Sequence, residues 1–165
     1  MKLSGGVEWA LHCCVVLTAA GDPVPAARLA ALHDVSPSYM AKQMQALSRA
    51  ALVHSIQGKT GGYVLAKKAE DITLLDVVRA VDGASPAFVC TEIRQRGPLG
   101  TPPEQCTKRC PIARAMEAAD AAWRASLAAV TIADLASSVE SDSGPEALPR
   151  IGAWLAGSPG VDGGA

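Results

Sequence analysis

Aromatic residues are scarce in this chain: one Phe, two Tyr and three Trp make up 4% of 165 residues. A core built with so few rings must rest on Leu, Val, Ile, Met and Ala. Long apolar runs are missing too, and no segment reaches the roughly 18–20 residues of a membrane span. The run Trp9–Ala20 has the hydropathy of a secretion signal, but Glu8 and His12 interrupt it and little charge precedes it. A cytoplasmic chain with no membrane partner is expected. A glycine-rich nucleotide loop, a paired acid/base constellation, a nucleophile motif and a Cys-x-x-Cys are all absent, so the sequence does not read as an enzyme. Nor is there an excess of one charge: the net of −1 argues against a histone-like blanket binder of nucleic acid.

What charge there is lies unevenly. Residues 1–80 carry eight basic and six acidic side chains, and residues 81–165 carry seven and ten. Between Pro37 and Ala69 there are five Lys or Arg and no Asp or Glu, an imbalance suited to phosphate contact. The same region reads as two short helices, a turn and a hairpin. Pro25 sits where a first-turn proline is tolerated, and Ala26 to His33 can form a short helix. Ser36 would cap the next helix with Pro37 at its first position. Met40, Met44, Leu47 and Ala51 would face inward at helical spacing. Ser38, Tyr39, Lys42, Gln43 and Arg49 are then expected outside, where a helix-turn-helix meets base edges and phosphates. Leu52–Ile56 and Tyr63–Leu65 would be short strands, with Gly58, Gly61 and Gly62 permitting the connection and Lys59, Thr60 and Gly61 at its tip. An ordinary helical hairpin with a solvated basic face is the plainer alternative. His33 and His54 are isolated polar residues near this face and need no sensor role.

Around this unit, a first helix is expected from about Gly5 to Ala20, capped by Ser4 and apolar on most sides. Glu8 and His12 lie four apart on one of its faces. Thr73 would cap a helix through Leu74, Val77, Val78 and Val81, with Gly83 as its stop. A loop from Ala84 to Cys110 holds three of the five cysteines, Cys90, Cys106 and Cys110, and a loop of that length is functional or disordered. Pro111 opens a long helix to about Val130, with Ile112, Met116, Ala119, Trp123, Leu127 and Val130 as a stripe for a symmetry mate. Thr131 would cap a short helix to about Val139, and the Gly-, Pro- and Ser-rich remainder reads as mobile. The expected organisation is a winged helix-turn-helix domain over 1–83, a cysteine-bearing loop over 84–110, a dimerisation helix with a packing helix over 111–140 and a mobile tail over 141–165. The fold class is mainly α with a small β-hairpin wing.

Five cysteines in a cytoplasmic chain point to metal binding, redox chemistry or burial rather than a disulfide framework. Cys13 and Cys14, in the apolar first helix, read as small core residues. Cys106 and Cys110 sit beside a helix start and would converge on one metal ion, with Cys90 a third candidate. A structural zinc site completed by Cys90 and His12, or a bare thiol–disulfide switch, stays open beside an iron–sulfur cluster.

The segments MKLSGGVEWAL, SPSYMAKQMQAL, GKTGGYVLA and ITLLDVVRAVDG, followed by the loop cysteines ending in Cys110-Pro111-Ile112, carry a resemblance. In order and spacing the chain resembles the bacterial winged-helix regulators of the IscR and NsrR family, which are iron–sulfur and nitric-oxide-sensing repressors. The resemblance covers about residues 1 to 135. It implies a homodimer on an inverted-repeat operator of double-stranded DNA, with a cluster whose state controls affinity. The cysteine spacing departs from the family's, with fifteen residues between Cys90 and Cys106, and Ala113 stands where some relatives carry a histidine ligand. The family pattern also allows an acidic ligand from the first helix across the dimer interface, a position held here by Glu8. The resemblance thus implies a [2Fe–2S] cluster with Cys106 and Cys110 from one chain, Glu8 and His12 from the other, and Cys90 as an alternate. Redox state, nitric oxide and cluster supply are the candidate inputs, and Trp9, beside Glu8, is a candidate relay to the DNA-reading helices. An assembly factor that carries a cluster without binding DNA is the reading from another class.

Overall fold

The computed structural model describes residues 3–58 and 60–157. Helix α1 spans Gly5–Leu17 and lies at the centre, with Val7, Ala10, Cys13, Cys14, Val15, Val16 and Leu17 buried. It stops three residues short of the expected end, because the Thr18 hydroxyl turns back to the Val15 carbonyl at 2.6 Å and Gly21-Asp22-Pro23 follow. Ser4 stands at the N-cap position but makes no side-chain cap. Its amide donates to Asp82 Oδ2 at 2.8 Å and its hydroxyl to Asp82 Oδ1, which ties the start of α1 to a residue 78 positions on.

The helix-turn-helix is α2, Ala26–Leu32, and α3, Pro37–Arg49. Ser36 caps α3 as expected, its hydroxyl accepting the Tyr39 amide at 3.2 Å with Pro37 in the first turn. Met40, Met44 and Leu47 are fully buried, and Ala51 lies past the helix end at φ +53°. Strands β1, Val53–Ile56, and β2, Gly62–Leu65, pair antiparallel with Val53 opposite Leu65 and Ile56 opposite Gly62. Of the three wing glycines only Gly58 has positive φ, at +120°. Gly61 and Gly62 are needed for close approach instead. A Cβ on Gly62 would strike the Val24 backbone, and Val24 bridges Tyr63 through hydrogen bonds of 3.0 and 2.8 Å.

Helix α4, Leu74–Asp82, opens with a capping box in which Thr73 and Asp76 satisfy each other's amides, and it ends at Gly83 with φ +86°. The loop after it contains two short 3-10 turns, Ile93–Gln95 and Pro103–Gln105. Helix α5 runs Pro111–Ala128 with Ala113 its single buried residue. Its expected stripe divides. Trp123 and Leu127 are half-buried, whereas Ile112 is 66% and Met116 41% exposed, an apolar end without cover inside one chain. Helix α6, Ile132–Ser143, opens with the Thr131–Asp134 capping box and is longer than expected. Its start is tied to that of α4 by Leu74 donating to the Val130 carbonyl and Ile132 to the Ile72 carbonyl, at 3.0 and 2.8 Å.

The expectation of a mobile tail from 141 does not hold through residue 157. A seventh helix, α7, spans Ala147–Leu155 and buries Leu148, Gly152 and Leu155 against the core. Leu148, Ile151, Gly152 and Leu155 recur at three- and four-residue spacing, and Pro149 lies in the first turn, where no intrahelical donor is lost. Two buried leucines contribute roughly 2 kcal/mol each by area, enough to fix a nine-residue helix that would not form alone. Arg28 of α2 holds the far end, donating from Nε to the Leu155 carbonyl at 3.0 Å and from Nη2 to the Trp154 carbonyl, with its guanidinium 4.3 Å from the Trp154 ring centroid. Among the described residues no helix is long and apolar enough to cross a membrane.

Candidate DNA-reading face and thiol site

The cap at Ser36 and the inward methionines fix which side of α3 is left free. Ser38, Tyr39, Lys42 and Arg49 are exposed, as expected. Gln43 is not: it is only 4% exposed and turns inward, its side chain so near Gly6 of α1 that a Cβ there would lie 2.6 Å from Oε1. The reason is periodicity, since position 43 falls between Met40 and Leu47 on the inward stripe. Gln45 takes the outer place, exposed three residues after Lys42 and four before Arg49, a signal the sequence contained. In the wing Thr60 is exposed and Gly61 half-buried, while Lys59 lies outside the described residues. His54 is exposed on β1.

The cysteine-bearing loop is held by two arginines. At its start, Arg124 of α5 donates to the Ser85 carbonyl at 3.1 Å and to Asp120 at 2.7 Å. Within it, Arg94 donates to Glu92 and to the Lys108 carbonyl, each at 2.7 Å. Cys90, Cys106 and Cys110 are all half-buried free thiols. Cys110 occupies the N-cap position of α5. The amides of Ala113 and Ile112 there hold its thiol below the usual range; burial opposes them, and the Arg94 charge and the nearby Cys90 side chain assist. The Cys90 thiol donates to Glu92 Oε1 at 3.9 Å, and the Cys106 thiol to the Thr101 carbonyl at 3.9 Å. Cys13 and Cys14 contrast sharply. Both are fully buried in α1, and burial pushes each thiol up to about 12, so they are core residues.

Glu8 and His12 are exposed one turn apart on α1. Trp9 is half-buried, and its ring centroid lies 5.8 Å from that of His33, at the end of α2. His12 approaches the same imidazole edge-on at 5.7 Å. His33 is thus not an isolated residue on the DNA face. Its Nε2 is buried without a hydrogen-bond partner, and burial first, then the neighbouring His12, lowers its pKa. Among the described residues of one chain, no three His, Cys, Asp or Glu side chains converge as a metal group.

A family model described as Rrf2, iron-dependent transcriptional regulator, matches residues 3–138. YffB of Lactococcus lactis, named as an HTH-type transcriptional regulator, is 30% identical over 138 residues, covering 82% of this chain and 87% of the relative. YwgB of Bacillus subtilis, named in the same way, is 39% identical over 87 residues, covering 50% of this chain and 54% of the relative. The chain thus spans about half the length of that relative. The structure of CymR, the global cysteine regulator of Bacillus subtilis, superposes with a TM-score of 0.61 at 27% identity, over 83% of this chain and 97% of CymR. The IscR structure of T. potens shares the fold, with a TM-score of 0.63 at 21% identity over 86% of this chain and 90% of that one. These relatives are regulators rather than enzymes, and a winged helix with an exposed, basic second helix is a DNA-binding device. The chain belongs to the Rrf2 family of winged-helix transcriptional regulators.

Proposed function

We propose that the protein is a dimeric regulator whose operator affinity is set by an iron–sulfur cluster shared between subunits, with [2Fe–2S] the favoured form. The supporting observation is the setting of Cys110: a thiol at a helix N-terminus, with Cys90 beside it and Arg94 close by, is poised as a thiolate donor. The donor chemistry fits such a group. Cys106 and Cys110 would supply two sulfurs, with Cys90 as the alternate. Glu8 and His12, both exposed, would supply oxygen and nitrogen from the second chain. A second copy is needed because one chain gathers no three of these ligands, and the exposed apolar end of α5 at Ile112 and Met116 is a surface such a copy would cover. When bound, the cluster supplies a charge that changes by one electron. The protein's part is to hold its ligands on α1 and at the start of α5, and to pass the change through Trp9 and His33 to α2.

In this reading Ser38, Tyr39, Lys42 and Gln45 face the major groove of an inverted-repeat operator. Arg49 lies nearer the backbone, and the wing residues Lys59, Thr60 and Gly61 flank the minor groove. Redox state is the favoured input; nitric oxide and cluster supply are the alternatives. The proximity of Cys90 to Cys110 favours one further reading, a thiol–disulfide switch that needs no cluster. Single substitutions separate the two. Replacing Glu8 or His12 should abolish visible absorbance if they ligate, whereas a thiol switch ignores both and loses its response only when Cys90 or Cys110 is replaced.

A further inference from the structure

Arg94 lies in the 3-10 turn Ile93–Gln95, its side chain 27% exposed, and its contacts reach three separate parts of the cysteine loop. Its Nε donates to Glu92 Oε2 at 2.7 Å, and its Nη2 donates to the Lys108 carbonyl at 2.7 Å and to Glu92 Oε1 at 3.5 Å. Its own carbonyl accepts the Thr101 amide at 2.8 Å. Each of these three partners stands next to a thiol. Glu92 Oε1 lies 3.9 Å from the Cys90 sulfur, the Thr101 carbonyl lies 3.9 Å from the Cys106 sulfur, and Lys108 is two residues before Cys110. Glu92 is also held at φ +51°, a left-handed conformation that non-glycine residues seldom adopt without tertiary support. The Arg94 fork holds its carboxylate, and the Gln95 amide donates to its carbonyl at 3.0 Å.

We propose that Arg94 is the positioning residue of the cysteine loop, its side chain fixing the segment that carries Cys90 against the segment that leads into Cys110 before any metal group arrives. The planar guanidinium is suited to this because it bonds a carboxylate and a carbonyl in fixed directions, which an ammonium does not. Its charge has a second consequence. The guanidinium bonds the Lys108 carbonyl, two residues before Cys110, and a cation placed there favours the more negative, reduced state of whatever the thiolates hold, and so raises its reduction potential. That consequence rests on the cluster reading of the preceding subsection; the positioning of the loop does not.

The test compares the full-length protein with R94K and R94A. In the metal-free state, hydrogen exchange over residues 91–110 should be about tenfold faster in both variants, while exchange in α1 to α4 is unchanged. After anaerobic incubation with iron and sulfide, both should retain less iron than the wild type. R94K should keep the wild-type potential, and R94A should shift to a lower one, a difference that a merely structural role would not produce. Wild-type exchange in R94A overturns the proposal, whatever the iron content. If the wild type itself takes up no iron, the cluster reading fails, and the exchange comparison still decides whether Arg94 organises the loop.

Discussion

The indole of Trp9 and the imidazole of His33 meet across the contact between α1 and α2, with ring centroids 5.8 Å apart and planes tilted by 58°. One ring belongs to the helix that carries Glu8 and His12, and the other closes the first helix of the DNA-reading unit. A shift of α1 side chains therefore has a direct packing route to α2. Under the proposed redox control, Trp9→Ala should leave an operator-binding protein in which the difference in affinity between oxidised and reduced forms falls from the roughly 5–150-fold usual for coupled sites to within about twofold. DNA-binding titrations in both states measure it. An undiminished difference would remove Trp9 from the pathway.

Adjacent residues on α3 should behave in opposite ways. Lys42 is exposed, and Lys42→Ala should weaken binding and lower the slope of log affinity against log salt by about one if it contacts a phosphate. Gln43 is buried beside Gly6, so Gln43→Ala should lower thermal stability by about 1–2 kcal/mol and leave both salt slope and operator preference unchanged. Salt-dependent binding curves for the two variants distinguish contact from packing. A changed operator preference in the Gln43 variant would put that side chain on the DNA.

Helix α7 offers a stability test. A Cβ on Gly152 would strike the Ala19 backbone carbonyl where α7 crosses the end of α1. Alanine is the better helix former by about 1 kcal/mol, but overpacking against fixed backbone costs about 1–3 kcal/mol. Gly152→Ala should therefore destabilise on balance, with each kcal/mol worth about 2–4 °C in a chain of this size. An unchanged or raised melting temperature would mean that α7 does not pack on α1 in solution.

Most of the fold was legible because its local signals agree. Ser36-Pro37, Thr73 with Asp76 and Thr131 each mark a helix start, Gly83 marks an end, and Met40, Met44 and Leu47 mark an inward face. Two readings failed for physical reasons. The composition of the tail hid the 148, 151, 152, 155 stripe of α7, since Gly and Pro count against a helix on average yet are tolerated in the first turn and at a close crossing. The polarity of Gln43 favours the outer face, but its position lies on the Met40–Leu47 stripe and it is buried. The site was less legible than the fold. The cysteines stand out by type, but Arg94 and His33 owe their places to contacts across 14 residues with Lys108 and across α1 and α2, which no local pattern reports.

The central claim is that this protein holds an iron–sulfur cluster. The measurement that tests it most directly is the absorbance and EPR spectrum of protein purified without oxygen, before and after dithionite. A cluster-bearing protein should show broad bands between about 300 and 600 nm that bleach on reduction as an S = 1/2 signal appears, the behaviour of a two-iron centre accepting one electron. A colourless protein that takes up no iron on incubation with iron and sulfide, and contains stoichiometric zinc or no metal, would contradict it.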